Sequence, residues 1–214
     1  MSNSGAVKTG LLQASRRVFR GLLDLDVRGG DRVPAAGKLL FVSNHAQRFL
    51  DPVILSLAAP RDLVIVGDAY FRTRPIAGIL AYLSGTIFVA PSLVLRPQFI
   101  VQCDNVLAQG TALAIFPEGR QLGGGWGVFQ QGAAYLALRN RCPILPVWVE
   151  RRGIRKFLVV FGPRFVPEER PVNRRSLQDL TQRIQREVLS LRPDAPVGAR
   201  AHGAAAPAAV ESAG

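Results

Sequence analysis

The stretch FVSNHAQRFLDP, residues 41–52, decides the fold and the position of the chemistry. Its first residues continue an apolar run that ends at Ser43, and a new apolar segment opens after Asp51. A buried strand, a polar loop and a helix in this order are typical of α/β domains, which place reactive groups at the carboxyl end of a strand. The loop carries His45, with five residues between it and Asp51. A carboxylate at this spacing can hold one imidazole nitrogen and leave the other as a base.

His45 is the only histidine in the part of the chain that is predicted to fold. The other, His202, lies in a stretch of Ala, Pro and Gly that indicates a disordered tail. A lone histidine is more often structural than catalytic, so a structural role for His45 is the alternative.

The composition predicts one domain with a full core. The chain has 214 residues, of which 48% are hydrophobic, and this excludes a disordered protein. Its two cysteines, Cys103 and Cys142, are too few for a disulfide framework or a metal cluster. We expect both to be small buried residues.

The charge indicates an anionic partner. Lys and Arg number 27 against 15 Asp and Glu, a net charge of +12. Such a surface favours an anionic membrane, a phosphorylated substrate or nucleic acid. Nucleic acid is not expected, because the sequence has no zinc-ligand spacing, helix-turn-helix or basic stretch interleaved with aromatics. A genome-wide preference for Arg would explain the choice of residue but not the net charge.

Two segments bear on membrane association. Residues 76–95 lack charge, but Gly, Ser and Pro interrupt them, which favours a buried helix, a turn and a strand over a membrane span. No secretory signal is recognised at the N-terminus. Residues 8–23 predict a basic amphipathic helix, which either lies in a membrane interface or packs on its own domain.

Short buried strands alternate with helices along the chain. This predicts a single α/β domain with a largely parallel mixed sheet flanked by helices. The domain is assigned to residues 24–192, after an N-terminal helix at 1–23 and before a disordered tail at 193–214. Asp51 is expected to be the N-cap of the helix that follows it, with Pro52 in the first turn. Strands are predicted at 23–27, 38–43, 63–66, 86–90, 112–116, 144–149 and 157–161, and helices at 51–58, 97–108, 130–139 and 174–192, with a further helix after Pro75.

A second polar loop, PEGRQLGGG at residues 117–125, follows the strand at 112–116. In an open α/β sheet both loops can lie at the same edge, where ligands bind. The second loop adds Glu118 and Arg120 to the base and its carboxylate. It lacks the Gly-Lys-Ser/Thr ending of a nucleotide-binding loop. No serine has a nucleophile-elbow setting and no cysteine lies in a reactive loop, so the pattern favours a base that activates a substrate hydroxyl.

These motifs resemble the 1-acylglycerol-3-phosphate acyltransferase (glycerolipid acyltransferase) superfamily. The resemblance rests on the order of five segments: VRGGDRVPAAGKLLFVSNHAQRFLDP (27–52), GTIFVAPS (85–92), FPEGRQ (116–121), FQQGAAYLA (129–137) and CPILPVWVE (142–150). The NH…D and FPEG pair in this order and separation is the specific part of the signal.

The resemblance implies that a fatty acyl group moves from acyl-CoA or acyl carrier protein to the hydroxyl of a lysophospholipid. By this resemblance His45 is the general base, and Asp51 orients it and stabilises its charged form. The third motif implies an acceptor-binding set of Phe116, Pro117, Glu118, Gly119 and Arg120. No metal or other cofactor is expected, since the thioester is already activated. We expect a peripheral or monotopic protein on the cytoplasmic face of an anionic membrane.

Three departures from the superfamily pattern concern the acceptor. Five residues separate His45 from Asp51, where four are common, and this variant resembles a divergent branch. Ala90 and Pro91 stand where the second motif often has a phosphate-binding Arg. Arg120 occupies a position that is usually Thr, so the phosphate ligand is open among the arginines at positions 48, 72, 74 and 120. The alternatives are an acyltransferase for a non-glycerolipid acceptor and a catalytically weak lipid-binding protein.

Overall fold

The structure is a computed structural model that describes residues 21–45, 50–68, 87–89, 97–118 and 128–194. The strands are β1 (Asp24–Arg28), β2 (Leu39–Ser43), β3 (Leu63–Asp68), β4 (Ile87–Val89), β5 (Ala112–Ile115), β6 (Ile144–Arg151) and β7 (Lys156–Phe161). The helices are α1 (Asp51–Ala58), α2 (Pro97–Ala108), α3 (Gly132–Arg139) and α4 (Arg174–Ser190), with a short 3-10 helix at Gly30–Arg32.

The strands form one sheet in the order β1-β7-β6-β2-β5-β3-β4. Every neighbouring pair is parallel except β6 and β7, which form an antiparallel hairpin. The predicted α/β fold with a largely parallel mixed sheet is therefore confirmed. The predicted strands and helices that fall on described residues agree with the observed bounds to within two residues.

Period-2 alternation along the central strands builds a separate core on each face of the sheet. β2 is buried at all five positions. Leu40 and Val42 belong to a cluster with apolar residues of α2, α3 and α4. Leu39 and Phe41 belong to the other cluster, with apolar residues of α1. β2 is thus fixed from both sides, and so is the position at which its polar continuation leaves the sheet.

The start of α1 differs from the prediction. Asp51 was expected to be the N-cap, but the N-cap is Leu50, with φ −89° and ψ −28° and no side-chain capping bond. Asp51 is the first helical residue, followed by Pro52, whose missing N–H costs nothing in the first turn. The prediction is wrong because the Asp51 carboxylate has another partner, described below. Its negative charge remains favourable at this end of the helix dipole.

The described part of the chain contains no helix that is both long enough and apolar enough to cross a membrane. Within residues 76–95, only 87–89 are described, and they form β4, as predicted for the second half of that stretch. The predicted helix after Pro75, most of the N-terminal helix and nearly all of the tail lie outside the described residues.

Candidate active site

The two polar loops begin side by side at one edge of the sheet, where the sequence allows both to lie. β2 and β5 are parallel neighbours, with Val42 opposite Ile115, so both loops leave the sheet at its carboxyl edge. The backbone N–H of His45 donates a hydrogen bond to Oε1 of Glu118 at 2.9 Å. Glu118 is only 5% exposed. A buried carboxylate from the second loop thus holds the backbone of the first.

His45 and Asp51 form a close polar pair. Nδ1 of His45 lies 2.7 Å from Oδ2 of Asp51. The Asp51 side chain is fully buried, and 16% of the His45 side chain is exposed. When Asp51 is ionised it can only accept, so the proton of this bond belongs to Nδ1. Nε2 is then the nitrogen that can accept a proton from a bound group.

The ring of Phe116 packs on the imidazole. Their centroids are 4.8 Å apart, with an angle of 31° between the ring planes. Together with the bond from Nδ1 to Asp51, this contact restricts both dihedral angles of the His45 side chain. A base whose orientation is fixed before substrate binds loses less entropy in the reaction.

Asn44, which was not among the predicted site residues, locks the base of the loop to β6. Its Nδ2 donates to the Val149 carbonyl at 2.8 Å, and its Oδ1 accepts from the Val149 N–H at 2.7 Å. Asn44 is 1% exposed, so both bonds are shielded from water. The side chain extends the β2–β6 ladder beyond Ser43 and directs the chain into His45. An amide directly after a fully buried strand is the sequence signal for such a role.

The predicted site residues that the structure describes lie in one place. The structure brings together His45, Asp51, Phe116 and Glu118. Pro117 is buried beside them, and its carbonyl accepts from the N–H of Gln130 at 2.9 Å, which closes the second loop at its base. Gly119 and Arg120 lie outside the described residues, as do the arginines at positions 48, 72 and 74. Acceptor binding by the third motif stays a prediction.

Both cysteines are remote from this chemistry. Cys103 and Cys142 are fully buried, as predicted. Burial raises the pKa of each thiol to about 12, so neither is a thiolate nucleophile near neutral pH. Among the described residues, no three His, Cys, Asp or Glu side chains are grouped so as to hold a metal ion.

Comparisons with known proteins point to one family. Residues 24–150 match the model of the Acyltransferase family. A 1-acyl-sn-glycerol-3-phosphate acyltransferase of Borreliella burgdorferi is 30% identical over 123 residues, which are 56% of this chain and 49% of that protein. The human 1-acyl-sn-glycerol-3-phosphate acyltransferase beta is 29% identical over 136 residues, 62% of this chain and 48% of that protein. The chain thus spans about half the length of the curated relatives it matches.

The fold has a counterpart among solved structures. The crystal structure of the 1-acyl-sn-glycerophosphate (LPA) acyltransferase PlsC from Thermotoga maritima superposes with a TM-score of 0.63 at 18% identity. The match covers 90% of this chain and 85% of that one, so the two share a fold. Since the family match extends over more than half of the 214 residues and includes both polar loops, the chain belongs to the acyltransferase family.

Proposed function

We propose that the protein transfers a fatty acyl group from a thioester to the hydroxyl of a lysophospholipid of the 1-acylglycerol-3-phosphate type. The observation that carries the proposal is the 2.7 Å contact between Nδ1 of His45 and the buried Oδ2 of Asp51. Such a pair supplies an oriented base, and an acyl thioester needs little more than a deprotonated hydroxyl to react.

The chemistry runs in two steps. The acceptor hydroxyl gives its proton to Nε2 of His45 as its oxygen attacks the thioester carbonyl. The tetrahedral intermediate then expels the thiolate, which takes the proton back from Nε2, leaving an ester and a free thiol. Asp51 stabilises the imidazolium that exists between the steps. General base catalysis of this kind contributes about 10²- to 10⁴-fold in rate.

Glu118 is proposed to act on His45 rather than on the proton. Its Oε1 accepts from the His45 backbone N–H, so that oxygen is directed at the loop and not at the imidazole. The acceptor is assigned to the side of His45 that faces away from Asp51, beside Phe116 and the FPEG loop. The donor is proposed to be acyl-CoA or acyl carrier protein.

The acceptor class rests on the names of the relatives, which include 1-acyl-sn-glycerol-3-phosphate acyltransferases. The observation that favours a different hydroxyl is the interval of five residues between His45 and Asp51. The 2.7 Å contact closes in spite of this extra residue. The geometry of the pair thus does not depend on the common interval, and a non-glycerolipid acceptor is the second candidate.

Transfer of a labelled acyl group by the purified full chain tests the proposal. The acceptors are 1-acylglycerol-3-phosphate, other lysophospholipids and a long-chain alcohol, each offered with acyl-CoA and with acyl carrier protein. We expect the fastest transfer to 1-acylglycerol-3-phosphate. The His45→Ala protein should lose transfer, whereas the matched His202→Ala protein should keep it. Equal transfer by the His45→Ala protein would contradict the mechanism, and preference for the alcohol would favour the second candidate.

A further inference from the structure

The hairpin of β6 and β7 extends past the site at the carboxyl edge of the sheet. Ser43, the last residue of β2, lies opposite Val147, and β6 continues to Arg151. Asn44 is tied to Val149, so the turn starts three residues further, about 10 Å along the strand. The hairpin tip is therefore a projection from the edge that carries His45.

An apolar side chain occupies this tip. Ile154 is 86% exposed, the largest exposed fraction among the exposed large hydrophobic residues of the described chain. The turn that presents it is well ordered by hydrogen bonds. The N–H of Arg152 bonds to the carbonyl of Lys156, and the Arg151 guanidinium donates to the carbonyls of Gly153 and Ile154. Exposure of Ile154 is thus imposed by the local structure.

The tip is also strongly basic. Residues 150–156, ERRGIRK, contain four cations and one carboxylate. Arg152 has Asp26 and Glu150 at 3.9 and 3.7 Å, and Lys156 has Asp24 at 3.8 Å. Arg151 and Arg155 donate to backbone carbonyls, and within the described residues no carboxylate lies within 4 Å of either. Two guanidiniums next to the exposed isoleucine therefore keep a charge that can attract an external anion.

Other exposed apolar side chains lie at the same edge. Leu22, 50% exposed, is joined to the hairpin because its carbonyl accepts from Arg155. Leu50, 41% exposed, directly precedes Asp51. Val128, 83% exposed, is two residues from Gln130, whose N–H bonds to the Pro117 carbonyl at the base of the second loop. Several exposed apolar side chains thus lie at the same edge of the sheet as His45, and the cations of the hairpin lie beside one of them.

We propose that this hairpin tip inserts Ile154 into the interfacial region of an anionic phospholipid membrane, with its arginines on the lipid phosphates. An apolar side chain flanked by cations matches an interface in which acyl chains lie under anionic head groups. An acidic protein would need an apolar patch of its own placed opposite Ile154, whereas an anionic bilayer offers both chemistries over its whole surface. The inference deepens the proposed function, on which it rests for its lipid partner. Docked in this way, the carboxyl edge faces the membrane, and a lysolipid reaches His45 without crossing water.

Site-specific fluorescence on the full chain tests the contact. The Ile154→Cys protein is labelled with an environment-sensitive thiol reagent and mixed with vesicles of phosphatidylcholine, with or without phosphatidylglycerol. The two native cysteines are buried with raised pKa values, so the new thiol is labelled selectively. The matched control is Val166→Cys. Val166 is 62% exposed and follows Phe165, which bonds to Ile144 at the other end of β6.

We expect a blue shift at position 154 on phosphatidylglycerol vesicles, weakened by salt, and no shift at position 166. Unlabelled Ile154→Glu protein should bind these vesicles about tenfold or more weakly than the parent, because an apolar side chain is lost from the interface. Val166→Glu should bind as the parent does. Vesicle binding without a shift at 154 would overturn the inference. So would a response at 154 to acyl carrier protein alone.

The membrane contact and the acyl transfer are tested by different measurements, so one can fail while the other stands. Labelled protein that also carries His45→Ala should show the same blue shift, although it transfers no acyl group. If the parent protein itself transferred no acyl group but still showed the blue shift, the membrane contact would stand and only the proposed chemistry would be rejected.

Discussion

The two edges of the sheet use polar side chains in different ways. At the amino edge, Arg61 donates to the carbonyls of Pro34 and Gly110, and Lys38 donates to the carbonyl of Asn140. Around His45 at the carboxyl edge, the contacts are specific to one ring and its backbone: Nδ1 of His45 donates to the Asp51 carboxylate, and Glu118 accepts from the His45 N–H. The first arrangement satisfies loop carbonyls, and the second orients an imidazole.

This difference predicts which substitutions should affect stability and which should affect catalysis. A cation that donates hydrogen bonds to loop carbonyls stabilises the folded state and does not act on the reaction. A buried carboxylate that orients a base contributes to the transition state. Substitutions at the carboxyl edge should lower kcat, and those at the amino edge should lower the free energy of unfolding.

The largest expected effect is that of Asp51→Asn. The amide can no longer enforce the tautomer that leaves Nε2 free, nor stabilise an imidazolium, so kcat should fall by about 10²- to 10⁴-fold. Initial rates at saturating substrate measure this. The matched control is Asp62→Asn, at an exposed position before β3 at the amino edge, which should transfer at the parent rate. Equal rates for the two variants would remove the distinction between the edges.

Substitution of Glu118 sharpens the comparison within the carboxyl edge. Glu118→Ala leaves the part-buried His45 N–H without this acceptor, which costs about 1 kcal/mol of stability. If the loop shifts as a result, kcat should fall by roughly tenfold. Glu118→Gln retains an acceptor oxygen and should keep most of the activity. Separate kcat and KM values decide the role. A rise in KM for the acceptor at constant kcat would instead support the acceptor-binding role that the sequence suggests.

Arg61→Ala tests the amino edge. Two loop carbonyls lose their donor, so the free energy of unfolding should fall by about 1–3 kcal/mol, measured by urea denaturation. Transfer per folded molecule should not change. The stability of the Arg61→Lys protein should fall between those of the parent and Arg61→Ala, because a single ammonium reaches one carbonyl at a time. A loss of kcat in the stable fraction would show that the edges are coupled.

The smallest expected effect is the pH dependence of stability that arises from Cys103 and Cys142, which are buried in the core between the two edges. With a pKa raised from 9.0 to about 12, each thiol stays neutral in the folded state while an unfolded thiol ionises above pH 9. Folding stability from these groups is therefore complete below pH 9 and is lost as the pH rises toward 12. Below pH 9, mass spectrometry should find no alkylation of the native protein and two alkylated thiols after denaturation. Alkylation of the folded protein at about pH 8 would contradict the burial of these thiols.

Much of this architecture follows from the sequence, because short apolar runs and their breaks locate the strands and helices. The parallel direction of the strands, and hence a common edge for the two loops, follows from the alternation of strands and helices, whereas the pairing of β2 with β5 does not. The position of β1 beside β7 does not, since it depends on contacts across most of the chain.

The side-chain contacts of the site do not follow from the sequence pattern in the same way. Asp51 has the sequence features of an N-cap, and only the fold shows that its carboxylate turns to His45 instead. The contact between Glu118 and the His45 backbone joins residues 73 positions apart, so no local pattern reveals it. Asn44 is a polar residue directly after a buried strand, but its partner on β6 follows only from the strand order.

A double-mutant cycle shows whether His45 and Asp51 act as one unit. The kcat values of His45→Ala, Asp51→Asn and the double variant are compared with that of the parent under saturating thioester and 1-acylglycerol-3-phosphate. If Asp51 works through His45, the double variant should be no slower than His45→Ala alone. If Asp51→Asn slowed a protein that already lacks the imidazole, the two losses in kcat would be independent. The two residues would then not act as one unit.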